Sequence, residues 1–259
     1  MKRFFCAVLL VAAAACSQPP EPRSRAKLRI AAAADLNAAL GELVARFTAS
    51  HPIDVTVTYG SSGTFYAQLV NDAPFDLFFS ADVEYPRRLA AQGKTLADSE
   101  FQYAVGRLVL WVPKGSPIDP ARDGLNALAS RTVAHVAIAN PDHAPYGRAA
   151  VAALQAEQVY DAVRHKIVFG ENVAQALQFV QSGAADAGIV ALSLALAPAS
   201  RDAGRYAEVP LGEYPRIDQG GAILRWAADV ESARAFRAFV IGADGRAILR
   251  QFGFSMPAD

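Results

Sequence analysis

Along this chain the hydrophobic positions switch repeatedly between two periods. Residues 28–33 form a short apolar run, after which Leu36, Leu40, Leu43, Val44 and Phe47 recur every three or four positions, the spacing that gives a helix one buried face. The pattern predicts a strand, a turn and a helix. Residues 53–59 then alternate around the β-branched Val55 and Val57, a Gly/Ser turn spans 60–63, and residues 65–70 restart the helical period. A buried strand over 75–79, a helix over 84–91 and a long apolar run over 103–112, closed by Pro113 and Gly115, complete the first half.

The second half repeats the plan. A strand over 133–139 leads into a turn-rich loop with Pro141 and Pro145, then an Ala-rich helix over 147–156. A strand at 167–169, a helix over 173–181 and an apolar run over 187–192 continue the alternation, and two helices at 232–241 and 245–252 follow a last apolar run at 222–226. Strands alternating with helices of this length predict an α/β fold of mostly parallel sheets flanked by helices. One sheet rarely absorbs so many units. Two lobes joined by hinge strands are therefore expected, residues 27–107 plus 220–259 as lobe 1 and 108–219 as lobe 2, with crossings marked by the Pro/Gly-rich stretches 113–120 and 210–221.

Composition narrows the function. With 53% hydrophobic and 19% charged residues over 259 positions, the chain has the makings of real cores, and equal counts of 25 basic and 25 acidic residues leave no footprint for nucleic acid. Residues 1–15 read as a signal peptide: Lys2 and Arg3 precede an apolar stretch over 4–15 that is too short to span a bilayer. Ala13-Ala14-Ala15 before Cys16 fits two endings, a small-residue cleavage site and a loose lipobox in which Cys16 carries lipid. Lipidation is the favoured expectation, because residues 16–26, with Pro19, Pro20 and Pro22, suit an extended tether behind an anchor. Cys6 and Cys16 are the only cysteines, so the folded body has no disulfide. Without Lys2 and Arg3 the 25 basic residues fall to 23 against 25 acidic, so no net positive field recruits an anion.

Candidate chemistry sits where strands turn into helices. Asp35 ends an alanine run and is placed as the N-cap of the next helix; Ser61 and Ser62 precede another; Gly147 after Tyr146 and Val173 after Asn172 begin two more. Helix starts present unpaired N–H groups and a positive dipole end, which makes them anion sites without Lys or Arg. Ordinary capping explains each position taken singly. Catalytic readings fare worse. His51, His135, His143 and His165 lack metal-ligand spacing and are expected at the surface or at caps, Gly60-Ser61-Ser62-Gly63 is not a GxSxG elbow, and no nucleotide-binding glycine motif occurs. The carboxylates Asp76, Asp82, Glu84 and Glu171 are better explained as caps and solvated faces than as an acid/base pair. No catalytic residue, resident metal or cofactor is expected.

Ala31-Ala32-Ala33-Ala34-Asp35-Leu36, Tyr59-Gly60-Ser61-Ser62-Gly63-Thr64, the stretch from Ala73-Pro74-Phe75-Asp76 to Ser80-Ala81-Asp82, Asn140-Pro141-Asp142-His143-Ala144-Pro145-Tyr146-Gly147, Gly170-Glu171-Asn172-Val173 and Ala187-Gly188-Ile189-Val190 follow one another in order. Together they resemble the periplasmic molybdate-binding proteins of ABC importers, over essentially the whole mature chain. The resemblance implies the two-lobed periplasmic solute-binding (type II) fold, a molybdate or tungstate ion as transported ligand, an ABC permease and its ATPase as partners, and a monomer in the periplasm, membrane-bound only through lipid on Cys16. It implies a ligand-holding hydroxyl and N–H at Ser62, a backbone donor at Val173, and a hydroxyl at Tyr146 in place of the tyrosine that other members carry at the position of Ala191. Asp35 departs from the family, which often has serine there. An ionised carboxylate about 4 Å from a dianion is repelled by roughly 4 kcal/mol per unit charge pair, so Asp35 is expected to turn back and cap the N–H of Asn37 or Ala38. Binding of a different anion, or of a metal cation through Asp35 and Tyr146, is the alternative. An exported hydrolase using Ser61 or Ser62 and a regulator's sensing domain are the weaker ones.

Overall fold

The short apolar runs become the strands of two five-stranded sheets in the computed structural model, which describes residues 26–257. The expected signal peptide, most of the tether and Cys16 lie outside the described residues. In the first sheet, β1 (Ala26–Ala33) pairs in parallel with β2 (Ile53–Gly60) and with β3 (Leu77–Ser80). Here β4 (Phe101–Gly106) forms an edge. The second sheet sets β6 (Val136–Ala139) in parallel between β7 (Ile167–Gly170) and β8 (Ala187–Ala191), and β5 (Leu108–Pro113) runs antiparallel to both β8 and the edge strand β9 (Gly204–Glu208). Finally β10 (Ile217–Ile223) returns to the first sheet, antiparallel to β3 and β4.

The sheets are thus mixed rather than mostly parallel. The reason is the traffic between lobes: β4 runs straight into β5, and β10 brings the chain back from β9, so these strands enter against the direction set by the crossover helices. The apolar run at 103–112 is two strands in different sheets. The first crossing consequently falls at Arg107, and the stretch 113–120 belongs to the second lobe, where Asp119 caps the helical turn Pro120–Asp123. On the return, β10 already pairs with Gly106 at Ile217.

Each lobe encloses its own core. In the first, Leu28 and Ile30 of β1 pack on Leu40, Leu43 and Phe47 of the helix Asn37–Thr48, and Phe236 of the helix Val230–Ile241 stands edge-on to Phe47 and Phe79. In the second, Trp111, Ile138, Leu154, Val180 and Ile189 form the centre. Apolar burial at roughly 25 cal/mol per Å² drives both. Among the described residues no helix is long and apolar enough to cross a membrane.

Asp76 ties the first lobe together below the site. Its fully buried carboxylate accepts from the N–H of Arg29 at 2.7 Å and of Ala228 at 2.9 Å, and pairs with the Arg29 guanidinium at 3.3 Å. Asp76→Ala leaves two backbone donors without acceptors, and urea unfolding should show a loss of about 3 kcal/mol. A loss below about 1 kcal/mol would mean that water replaces the carboxylate freely.

Candidate functional site

Five chain segments meet between the lobes. The end of β1 brings Ala33, Ala34 and Asp35; the end of β2 brings Gly60, Ser61 and Ser62; Ala81 follows β3; Ala144, Pro145 and Tyr146 open the helix Pro145–Ala156; Asn172 and Val173 open the helix Val173–Gln181. Together they line one small cavity. Asp35, Ser61, Ser62, Tyr146 and Val173, singled out from the sequence on separate turns, all stand on its wall and are all buried. Among the described residues no lysine or arginine lines it.

The first turns of helices supply the donors. Ser62 is the first residue of the helix Ser62–Val70, so its N–H has no intrahelical acceptor; its Oγ accepts from the N–H of Ala81 at 2.9 Å, which leaves the hydroxyl proton for another acceptor. Asn172 caps the N–H groups of Ala174 and Gln175 at 3.0 and 3.1 Å, so the helix end is held without using the N–H of Val173. The third helix starts at Pro145, two residues before the expected Gly147, because proline suits a first helical turn. Tyr146 therefore sits within that turn. Its hydroxyl reaches the hinge and accepts from Gln219 Nε2 at 3.2 Å.

Asp35 is not a cap. It lies inside a single 3-10 turn, Ala34–Leu36, which delays the helix to Asn37 and turns the carboxyl away from the N–H groups of Asn37 and Ala38. Oδ2 accepts instead from Gln219 Nε2 at 2.5 Å, while Oδ1 is buried without a hydrogen-bond partner. Burial pushes this carboxyl up to about 6, and the hydrogen bond from Gln219 offsets part of the rise. Among the described residues no three His, Cys, Asp or Glu side chains gather to hold an ion.

The cleft is shut by contacts from one lobe to the other. The carbonyl of His143 accepts from Ser61 Oγ at 2.5 Å and from the N–H of Gly63 at 2.9 Å, and His143 Nδ1 lies 2.9 Å from Ser61 Oγ. Ser193 Oγ donates to the Asp35 carbonyl at 2.7 Å, and Arg148 pairs with Asp82 at 2.7 Å. Ser61 thus spends its hydroxyl proton on closure rather than on the cavity. His143, expected at the surface or at a cap, is part of the latch, with Glu171 3.6 Å from its Nε2, too long for a hydrogen bond. Asp76, expected as a cap or on a solvated face, is fully buried in the first lobe, and Asp82 caps the N–H of Glu84 at 2.9 Å. Asp82, Glu84 and Glu171 stand beside Arg148, Arg87 and His143.

Residues 28–255 match the family described as bacterial extracellular solute-binding protein. The molybdate-binding protein ModA of Rhodobacter capsulatus is 35% identical over 234 residues, 90% of each chain. The periplasmic molybdate-binding protein of Azotobacter vinelandii, a solved structure, has 35% identity and a TM-score of 0.83 over 89% of this chain and 99% of that one. A putative ABC transporter substrate-binding lipoprotein of Bacillus subtilis (strain 168), YvgL, is 28% identical over 96% of this chain and 94% of its own length.

At Gly63 the two lobes meet backbone to backbone. A Cβ there would lie 2.6 Å from the His143 carbonyl oxygen and 2.9 Å from its Cα, backbone atoms with little room to retreat. Gly63→Ala should hold the lobes apart. Small-angle scattering is expected to give a larger radius of gyration with unchanged far-ultraviolet dichroism, and identical scattering would show that the latch tolerates the methyl.

Proposed function

The chain belongs to the bacterial extracellular solute-binding proteins, in the molybdate-binding branch of that family, and from this premise we propose that its closed cavity holds a molybdate or tungstate ion for delivery to an ABC permease and its ATPase. It is a binding component of an importer and not an enzyme. The observation that carries the reading is the convergence of helix starts from both lobes, with Ser62 on one side and Tyr146 and Val173 on the other, around one small volume. Each hydrogen bond from a neutral donor to a charged oxygen contributes roughly 1.5–3 kcal/mol, so a few pre-aimed donors offset the dehydration of a dianion. Walls fixed by closure then select by size, since sulfate and phosphate are smaller than molybdate and tungstate.

Calorimetric titration with molybdate, tungstate, sulfate, phosphate and Fe³⁺ tests the ligand class. Micromolar or tighter binding confined to the two large oxyanions is the expected result; binding of Fe³⁺ alone would replace the reading with a cation carrier. Ser62→Ala and Tyr146→Phe each remove one hydroxyl and should weaken molybdate by about 1–3 kcal/mol, roughly 5- to 150-fold. Ser62→Ala should also lower the melting temperature, because the N–H of Ala81 loses its acceptor. Wild-type affinity in both variants would remove these hydroxyls from the site.

The working place of the protein is the periplasm, held to a membrane by lipid on Cys16. The lipobox-like Ala13-Ala14-Ala15-Cys16 and the proline-rich tether behind it support this, as does a relative described as a lipoprotein. Intact-mass measurement of protein from membranes should give a chain that starts at Cys16 and carries acyl mass; a start elsewhere, or no added mass, excludes the anchor.

A further inference from the structure

Asp35 lines the cavity with Gln219 hydrogen-bonded to it, an arrangement that makes little sense for a bare dianion. Asp35 Oδ1 and Gln219 Oε1 are both buried, and both are acceptors without donors. A carboxylate that is ionised beside a doubly charged ligand also adds repulsion where the rest of the wall supplies attraction. No counter-charge offsets it. The groups that face Asp35 are Tyr146 from the helix Pro145–Ala156, Gln219 from β10 and Tyr103 from β4, with Ser193 on its carbonyl, and the start of the helix Val173–Gln181 adds only Asn172 and Val173. None of these is cationic. One proton resolves the conflict, because it turns a repelling pair of acceptors into a donor and an acceptor.

We infer that the cavity takes up its oxyanion together with one proton, shared between Asp35 and the ligand, so that Asp35 is a specificity-determining residue and Gln219 its positioning residue. The inference rests on the oxyanion reading of the site. The balance is simple: the dianion, the Asp35 carboxylate and one proton from water combine into a bound pair with two negative charges instead of three. The ligand class follows from it. An oxyanion that enters with a hydroxyl, or accepts a hydrogen bond from a neutral carboxyl, is suited; an aprotic dianion facing ionised Asp35 is not.

The geometry of Gln219 fits both protonation states. Its amide N–H donates to Asp35 Oδ2 at 2.5 Å and to the Tyr146 hydroxyl at 3.2 Å, so the added proton belongs on Oδ1, the carboxyl oxygen without a partner, and the Tyr146 hydroxyl keeps its own proton. Space for the cluster exists only because residue 106 is glycine: a Cβ there would lie 2.2 Å from the Tyr146 hydroxyl and 2.8 Å from Gln219 Nε2. Burial raises the Asp35 carboxyl to about 6, and a bound dianion raises it further. Below about pH 6 the proton is therefore already present and affinity is flat. Above it, up to the higher value of the occupied site, each pH unit lowers affinity up to tenfold.

Titration of the mature protein with sodium molybdate between pH 6 and 8.5, in two buffers of different ionisation enthalpy, counts the protons directly. The expected result is uptake of close to one proton at pH 8, a steady loss of affinity as pH rises, and neither in Asp35→Asn. Gln219→Met removes a hydrogen bond that favours the ionised form, so the fall in affinity should begin at higher pH than in the wild type. Tight molybdate binding with no proton uptake and no pH slope would overturn the inference and leave the oxyanion reading intact. Uptake that persists in Asp35→Asn would overturn it too, by moving the proton to another group. Absence of molybdate binding at every pH would overturn the reading and the inference together.

Discussion

The contact on which the site depends is the meeting of Ser61 and Gly63 with the carbonyl of His143. These atoms belong to different lobes, and their hydrogen bonds bring the start of the helix Ser62–Val70 against the loop that opens the helix Pro145–Ala156. Without that closure each lobe offers a single-sided set of N–H groups to water. With it, the same groups enclose a volume from which water is largely excluded, and a hydrogen bond to charge is stronger there than at a surface. A residue with any side chain at position 63 stands in the way, which is why a glycine occupies this contact.

The hinge is built so that closure can happen at all. Each lobe buries its own aromatic and aliphatic core, so each can move as a body, and the chain passes between them at Arg107, where one strand becomes the next. The cluster of Asp35, Tyr146 and Gln219 lies against Gly106, one residue from this crossing. The state of the cavity and the angle of the hinge are therefore read by the same side chains. Asp35 comes from lobe 1, Tyr146 from lobe 2, and Gln219 from the strand that returns between them.

The periodicity of the chain carried most of this architecture, since strands and amphipathic helices are local features written every two or three to four residues. Positions such as Ser62 and Val173 were legible for the same reason: a helix start is recognisable from its neighbours. What failed was non-local. The run at 103–112 reads as one strand because hydrophobicity does not say which sheet a residue joins. Asp35 reads as a cap because aspartate is among the best caps, yet an intervening 3-10 turn moves the helix and hands the carboxyl to a residue 184 positions away. Gln219 carried a faint signal, a lone amide between Asp218 and two glycines, but nothing local joins it to Asp35. His143 went to the latch through its backbone carbonyl, a role that no side-chain pattern encodes.

A cage of neutral donors also explains why so little positive charge is found where an anion is expected to sit. A lysine in the cavity would attract any anion from either lobe, open or closed, because the pull of a full charge falls slowly with distance. Dipoles of N–H and O–H groups act only when aimed and near. Their strength therefore appears on closure and disappears on opening, when Val173 and Tyr146 withdraw from Ser62. The arginines near the mouth fit the same logic, because Arg87, Arg148 and Arg216 stand beside Glu84, Asp82 and Asp218 and keep the approach close to neutral. On the proposed reading, binding and release become one motion, in which Ser62 leaves with one lobe and Tyr146 and Val173 with the other.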